Sequence, residues 1–171
     1  LLEPKDQKSI SMPDVEILCN YKPFPLLGAI SPWNFPLLLS FIDVIPALLA
    51  GSAAFVKPSE ITPRFAEPIA QTIENVPDLS MVLTIKPGGS TLGQELVRQV
   101  DIIAFTGSVP TGKKVAQAAA KEFIPAFLEL GGKDPAIVLQ GSDLDRATTA
   151  ILRASIAATG QACQSIERIY V

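Results

Sequence analysis

Residues 26–57, LLGAISPWNFPLLLSFIDVIPALLAGSAAFVK, set the architecture of the chain. They open with a short apolar run at 26–30, continue through a longer apolar segment of helical character at 37–50, and close with a second short apolar run at 53–57. Short apolar runs that alternate with longer helical segments are typical of βαβ units. We therefore predict an α/β fold built on a parallel sheet.

The same alternation continues along the chain. Further strands are predicted at residues 81–85, 102–105, 127–130, 136–139 and 168–171, and further helices at 64–74, 91–98, 111–123 and 144–159. Pro63 suits a first helical turn, Asp143 a helix N-cap and Gly160 a helix C-terminus. Residues 1–25 are polar and rich in Lys, Asp and Pro, so we expect an extended arm there.

Composition and charge argue against several classes of protein. Fourteen basic and seventeen acidic residues give a net charge of -3, and no Lys/Arg cluster exceeds a pair. The chain therefore lacks the electrostatic basis for binding nucleic acid or an anionic membrane. The longest apolar run, residues 37–56, contains Ser40, Asp43, Pro46 and Ser52, which argues against a membrane span. No metal site is predicted.

Two features concern the cellular context. Cys19 and Cys163 lie 144 positions apart. Two cysteines do not make a disulfide framework, which favours a reducing compartment, and we expect a cytoplasmic protein. The sequence begins Leu1-Leu2-Glu3-Pro4, without Met or a basic-then-apolar leader. We therefore expect no secretory signal and a chain that is part of a longer polypeptide.

The loop predicted after the first strand of the sheet carries an unusual amide. In a parallel sheet, ligands bind at the carboxyl ends of the strands. Here Ser31-Pro32-Trp33-Asn34-Phe35-Pro36 fixes the backbone around one amide side chain with two prolines and an aromatic ring. Asn34 is a candidate hydrogen-bond donor to an oxyanion. The alternative is that Asn34 only caps the helix that starts near Leu37.

The loop after the second strand places a charged pair at the edge of the sheet. It reads Lys57-Pro58-Ser59-Glu60-Ile61-Thr62-Pro63. Lys57 and Glu60 are candidates to hold a ribose hydroxyl. A carboxylate that accepts from a 2′-hydroxyl selects NAD, because a 2′-phosphate there would meet like charge. The alternative is a solvated turn that caps a helix.

Two other loops are rich in glycine. Residues 105–113, FTGSVPTGK, open a helix whose backbone N–H groups would attract a pyrophosphate. Their spacing matches neither the Rossmann nor the Walker A pattern. Residues 88–93, GGSTLG, are candidates to contact the adenosine side of a nucleotide. Glycine in such turns also serves backbone geometry alone, so each signal is weak by itself.

Glu129 ends an apolar predicted strand, just before Leu130-Gly131-Gly132-Lys133. A carboxylate is costly to bury unless it is used. Glu129 is therefore a candidate general base. A salt bridge to Lys133 explains the same residue equally well.

Cys163, within Gly160-Gln161-Ala162-Cys163-Gln164-Ser165, is a candidate nucleophile. The chain contains no histidine, so a papain-type Cys-His pair is impossible within these residues. Backbone N–H groups, a helix end or a bound cationic ring must favour the thiolate instead. A lone cysteine is more often an inert core residue, and Cys19 is interpreted in that way.

Together these residues resemble the NAD(P)-dependent aldehyde dehydrogenase family in type, order and approximate spacing. The matching motifs are Pro32-Trp33-Asn34-Phe35-Pro36, Lys57-Pro58-Ser59-Glu60 with Thr62-Pro63, Phe105-Thr106-Gly107-Ser108, Glu129-Leu130-Gly131-Gly132-Lys133 and Gly160-Gln161-Ala162-Cys163. The resemblance covers about residues 20–171, roughly the middle third of a family member. It implies a Rossmann-like parallel sheet with flanking helices, of the aldehyde dehydrogenase type and truncated. Residues 26–130 would form the NAD-binding domain and residues 131–171 the start of the catalytic domain.

The resemblance also implies the oxidation of an aldehyde to a carboxylic acid. Cys163 would attack the aldehyde, Asn34 and the Cys163 backbone N–H would form the oxyanion hole, and Glu129 would activate the hydrolytic water. The expected cofactor is NAD rather than NADP. The expected cofactor-binding residues are Ser31, Trp33, Lys57, Glu60, Gly89, Gly93, Gly107, Ser108, Gly112 and Leu130.

Two departures from the family pattern leave alternatives open. The run from Leu26 to Ser31 is shorter than usual, so we expect a short or distorted first strand, and the family's Glu-x-Phe-Gly-Pro segment does not occur. One hypothesis is a catalytic portion of an enzyme that is a homo-oligomer when complete. The other is a truncated, non-catalytic nucleotide-binding or oligomerising module. A relative that uses phosphate or CoA in place of water is a third, against which Glu129 argues.

Overall fold

The computed structural model describes residue 3, residues 5–12 and residues 14–171. The amino-terminal region, where an extended arm is predicted, contains two short antiparallel strands, β1 (Lys5–Lys8) and β2 (Glu16–Cys19). The side chains of β2 are exposed. The backbone of this region is therefore extended, and its two strands pair with each other.

The centre of the molecule is a sheet of five parallel strands. They are β3 (Leu26–Ile30), β4 (Ala53–Lys57), β5 (Leu83–Ile85), β6 (Ile102–Gly107) and β7 (Ala126–Leu130). Their order across the sheet is β5-β4-β3-β6-β7. This arrangement confirms the predicted α/β fold. β3 pairs regularly with β4 on one side and β6 on the other, so the expected distortion of the first strand is wrong.

Helices connect these strands and cover the sheet. They are α1 (Pro36–Phe41), α2 (Val44–Ala50), α3 (Ala66–Glu74), α4 (Pro77–Ser80), α5 (Ser90–Gln99) and α6 (Val109–Glu122). Beyond β7, helix α7 (Leu144–Ile156) lies in sequence between β8 (Asp134–Ile137) and β9 (Ile166–Tyr170), two strands that pair in parallel. Within the described residues, no helix has the length and apolar character needed to cross a bilayer.

The helix predicted at residues 37–50 is divided into two. α1 ends at Phe41 and α2 starts at Val44. Pro46 explains the break, because proline lacks an N–H and its ring is tolerated only in the first turn of a helix. Restarting the helix at Val44 places Pro46 within that first turn.

Smaller differences concern the ends of elements. Helix α4 was not predicted, β5 and β9 begin two residues from their expected positions, β8 begins at Asp134, and α7 stops at Ile156. Two predicted end signals are confirmed. Pro63 opens a 3₁₀ turn, Pro63–Phe65, ahead of α3. Asp143 caps α7, where its side chain accepts a hydrogen bond of 3.0 Å from the Arg146 backbone N–H.

The two faces of the sheet pack against separate hydrophobic clusters. Leu27 and Ala29 of β3 belong to the cluster under α2 and α3, whereas Ile103 and Phe105 of β6 belong to the cluster under α5 and α6. This division follows from the pleat of a strand, in which successive side chains point to opposite faces. Helices cover both faces, as expected for a parallel sheet.

Gly28 allows close packing on the second of these faces. A Cβ at this position would lie 2.8 Å from Ile103 Cδ1 and 3.2 Å from Leu96 Cγ. We therefore expect Gly28→Ala to overpack the core and lower the free energy of unfolding by about 1–3 kcal/mol, measured by urea denaturation. Gly131→Ala is the control, because an added Cβ there meets nothing within 4 Å. Equal losses in the two variants would contradict the packing argument.

Candidate active site

Loops from four strands of the sheet meet in a cleft of about 800 Å³. The cleft lies at the edge of the sheet where the strands have their carboxyl ends. At this edge the strand order reverses, because β3 is followed in sequence by β4 on one side and has β6 as its neighbour on the other. Such a switch point is where open parallel sheets bind ligands. Eleven of the predicted site residues line the cleft: Ser31, Trp33, Asn34, Lys57, Glu60, Gly93, Gly107, Ser108, Glu129, Leu130 and Cys163.

Two predicted cofactor residues lie outside the lining of the cleft. Gly89 is exposed at the N-cap of α5, and Gly112 is buried within α6. A Cβ at Gly112 would lie 2.6 Å from Leu130 Cδ2. Gly112 therefore lets α6 pack closely on β7, which is a structural use of the glycine.

The Asn34 side chain reaches the segment that carries Cys163. Its Nδ2 donates a hydrogen bond of 2.7 Å to the carbonyl oxygen of Gln161. The N-cap of α1 is Phe35, and no side chain caps that helix, so the helix-capping alternative for Asn34 is wrong. A side-chain amide nitrogen carries two N–H groups, which leaves Asn34 a second donor beside the one used for Gln161.

A strained turn delivers Gln161 and Cys163 to the cleft. After α7, a 3₁₀ turn follows in which Ala158 and Thr159 have φ values of 50° and 58°, and Gly160 has φ of 74°. A left-handed conformation costs residues with a Cβ roughly 1–2 kcal/mol each. Strained backbone of this kind concentrates at functional sites. The turn is thus a candidate device for presenting the thiol.

Both cysteines are free and exposed. Cys163 lines the cleft and is therefore not a core residue. Cys19 lies at the end of the exposed strand β2, so its predicted place in the core is wrong. Within the described residues, no group of three His, Cys, Asp or Glu side chains is placed to hold a metal ion.

Glu129 is exposed at the end of β7, which corrects the expectation that it is buried. The reason is that β7 is an edge strand of the sheet, with a neighbour on one side. Lys133 forms its ion pair with Glu167, and its carbonyl oxygen accepts a hydrogen bond of 2.8 Å from Arg168 Nε. The alternative prediction, a salt bridge between Glu129 and Lys133, is therefore wrong.

Lys57 and Glu60 form a pair at the end of β4. The Lys57 side chain is 5% exposed, and its Nζ donates to Glu60 Oε2 and to the Pro58 carbonyl oxygen, each at 3.1 Å. The Glu60 backbone N–H lowers the pKa of the Glu60 carboxyl, and the hydrogen bond from Lys57 lowers it further. A buried lysine does not fit the alternative of a solvated turn.

Asp43 and Gln161 are two residues of this region that the sequence did not reveal. Asp43 lies between α1 and α2, where partial burial raises the pKa of its carboxyl and the negative charge of Glu129 raises it further. Gln161 contributes a backbone carbonyl. Neither has a local signal, because each acts through a neighbour more than 80 positions away.

The fold and the cleft define an α/β protein whose parallel sheet carries a cleft at its carboxyl edge, the usual place of a ligand site in such folds. A sequence model described as "Aldehyde dehydrogenase family" matches residues 2–171, and the chain belongs to that family.

The chain is similar to several relatives over nearly all of its own length. A "Putative succinate-semialdehyde dehydrogenase [NADP(+)]" of Mycolicibacterium smegmatis is 41% identical over 172 residues, covering 100% of this chain and 33% of that protein. The structure of "Putative Aldehyde Dehydrogenase PutA" from Anabaena variabilis is 55% identical, with a TM-score of 0.92, covering 99% of this chain and 36% of that one.

A Mycobacterium tuberculosis aldehyde dehydrogenase complexed with NAD+ is 32% identical to the chain, with a TM-score of 0.84. The match covers 97% of this chain and 34% of that one. The chain spans about a third of the length of the relatives that it matches.

Asp43 provides a test of the electrostatics around Glu129. Because its pKa is raised from 3.8 in the folded state, ionisation of Asp43 opposes folding once the pH exceeds that ordinary value. We expect Asp43→Asn to raise the free energy of unfolding at pH 7 by less than about 1 kcal/mol, since the group is partly solvated. The gain should shrink as the pH falls toward 4, measured by urea denaturation. A gain that is independent of pH would contradict this explanation.

Proposed function

We propose that the chain carries the nucleophile, oxyanion donors, general base and cofactor cleft of an enzyme that oxidises an aldehyde to a carboxylic acid with NAD(P). The hydrogen bond from Asn34 to Gln161 carries this proposal. It brings an amide donor beside the segment of Cys163, in a cleft that Glu129 and Lys57 also line. The proposed domains are residues 26–130 for the cofactor and residues 131–171 as the start of the catalytic part.

The residues of the cleft fit a dinucleotide. The volume of the cleft, about 800 Å³, lies in the range of cofactor sites. Lys57 and Glu60 would hold a ribose. Gly107, Ser108 and the N-terminus of α6 would face the pyrophosphate, because helix N-termini bind anions. Bound NAD(P) supplies the hydride acceptor for the oxidation.

The first chemical step falls to Cys163 and Asn34. The Cys163 thiolate forms a bond to the aldehyde carbon, and the carbonyl oxygen becomes an alkoxide. The second N–H of Asn34 and the Cys163 backbone N–H donate to this oxygen, and such donors are often the largest single source of rate enhancement. Departure of a hydride from the same carbon leaves a thioester on Cys163.

Glu129 serves the second step. Its carboxylate is exposed at the rim of the cleft and therefore has access to water. Glu129 accepts a proton from a water molecule, whose oxygen bonds to the thioester carbon. The carbon–sulfur bond then breaks, which releases the acid and returns Cys163 as a thiolate. A water-activating base supports hydrolysis over transfer to phosphate or CoA.

We infer that NAD is the preferred cofactor. Glu60 lines the cleft, and its side chain is 62% exposed. Lys57 pairs with one of its two carboxylate oxygens, so the carboxylate is ionised and still presents negative charge to the cleft. A 2′-phosphate at this position would be repelled. The relatives reported above are named with different cofactors, NADP(+) in one case and NAD+ in another. The inference therefore rests on the Lys57–Glu60 pair alone.

The catalytic proposal is tested in a chimera in which residues 1–171 replace the matching segment of the Anabaena variabilis protein. We expect NADH formation with at least one member of an aldehyde panel, followed by absorbance. Cys163→Ala should lower the rate roughly 1000-fold or more, because removing a nucleophile disables the whole catalytic group. Cys19→Ala is the control, since Cys19 is also free and exposed.

An inactive chimera whose Cys163 is also unlabelled by iodoacetamide would contradict the proposal. That result would favour the alternative, a non-catalytic nucleotide-binding module. Equal rates for the Cys163→Ala variant and its parent would contradict the assignment of the nucleophile.

The cofactor preference is tested by Glu60→Gln in the same chimera. Removing the negative charge should raise the ratio of kcat/KM with NADP to kcat/KM with NAD on the order of 10-fold. Glu95→Gln is the control, because Glu95 is an exposed carboxylate paired with Arg98 on α5. An unchanged ratio in Glu60→Gln would show that this carboxylate does not select the cofactor.

A further inference from the structure

The Thr62 hydroxyl is directed away from its own helix. Thr62 is the N-cap of the 3₁₀ turn Pro63–Phe65, yet its side chain makes no capping hydrogen bond. Instead, Oγ1 donates a hydrogen bond of 3.0 Å to the carbonyl oxygen of Trp33, 29 positions earlier. Threonine at an N-cap normally accepts from an N–H of the first helical turn. The hydroxyl therefore ties the end of the β4 loop to the β3 loop at the expense of a local cap.

Apart from the hydrogen bond that Asn34 itself makes to Gln161, the other hydrogen bonds that hold residues 31–34 of the β3 loop within the described residues involve Ser31, its first residue. The Ser31 backbone N–H donates to the Lys57 carbonyl oxygen at 3.1 Å, and the Ser31 and Ser40 hydroxyls lie 2.6 Å apart in the protein interior. The Trp33 carbonyl belongs to the planar peptide unit that joins Trp33 to Asn34. Among the hydrogen bonds that hold the backbone of this loop, that of Thr62 thus acts closest to Asn34.

We propose that Thr62 is a positioning residue, whose hydrogen bond fixes the Trp33–Asn34 peptide plane and thereby directs the Asn34 amide toward Gln161 and the reacting carbon. This inference rests on the proposed function, because the second N–H of Asn34 serves the alkoxide. Thr62 itself touches neither substrate nor cofactor in this scheme. It acts through the backbone of Trp33.

Thr62→Val tests the hydrogen bond with little change of shape, since valine is nearly isosteric but lacks the hydroxyl. In the chimera, we expect kcat to fall on the order of 10-fold, because small misplacements of a catalytic group are costly. The Kd for NAD should stay within about 2-fold of the parent, because the cleft is intact. Thr62→Ser keeps the hydroxyl and should restore most of kcat.

Thr72→Val is the matched control. Thr72 Oγ1 also donates to a backbone carbonyl oxygen, that of Pro68, at 2.8 Å, but within α3 and away from the cleft. Removal of this hydroxyl should leave kcat unchanged. A double-mutant cycle adds specificity, since Thr62→Val should cause no further loss in an Asn34→Ala background if it acts through Asn34.

Three results would overturn the inference in an active chimera. They are an unchanged kcat in Thr62→Val, a Thr62→Ser variant as impaired as Thr62→Val, and losses that multiply in the Asn34→Ala background. An inactive parent chimera would instead count against the proposed function, so the two failures are distinguishable.

Nuclear magnetic resonance of the 171-residue chain tests the inference without catalysis. In a ¹⁵N-labelled sample, the side-chain amide proton of Asn34 that is bonded to Gln161 should exchange with water more slowly than its partner proton. Thr62→Val should accelerate that exchange by several fold, and Thr72→Val should not, because only the former frees the Trp33–Asn34 peptide. Equal exchange in the parent and in Thr62→Val would overturn the inference.

Discussion

The hydrogen bond from Asn34 Nδ2 to the Gln161 carbonyl oxygen is the constraint on which the arrangement of the site depends. Most of the cleft is built by loops of one sheet, whose relative positions are fixed by strand pairing. Cys163 arrives differently, on a turn before β9, which pairs with β8 in a separate two-stranded sheet. A hydrogen bond of this kind contributes only about 1 kcal/mol to stability. Its importance therefore lies in orienting the amide and thiol segments toward each other.

Lys57 shows a second constraint at the same edge of the sheet. Its ammonium group is almost fully buried and is satisfied by one carbonyl oxygen and one carboxylate. Burying a charge is costly, and a paired buried charge is often no more stabilising than an apolar side chain of the same volume. Stability thus gives no reason for a lysine at the end of β4. Its place in the lining of the cleft gives a functional one.

The sequence predicted the strands of the sheet well, because each of the three inner strands, β4, β3 and β6, is a short apolar run that is largely buried. It also identified the loops of the cleft, since the carboxyl ends of parallel strands meet by geometry. It failed where partners are distant along the chain. The partner of Asn34 is 127 positions away, and the partner of Lys133 is 34 positions away. Local rules offered a helix cap for Asn34 and an ion pair with Glu129 for Lys133 only as alternatives, and neither alternative names the actual partner.

In the proposed mechanism, the hydrogen-bond donors near Cys163 carry two duties, and no histidine among the 171 residues shares them. A thiolate needs stabilisation by nearby donors or positive charge, and an alkoxide formed from an aldehyde needs the same. The second N–H of Asn34 and the backbone N–H of Cys163 are suited to both, because the negative charge only moves from sulfur to oxygen during attack. The donors then need little reorganisation between the two states, which is the physical advantage of a preorganised site. In the proposed mechanism, the loop that carries Asn34 and the strained turn before Cys163 would both serve this single requirement.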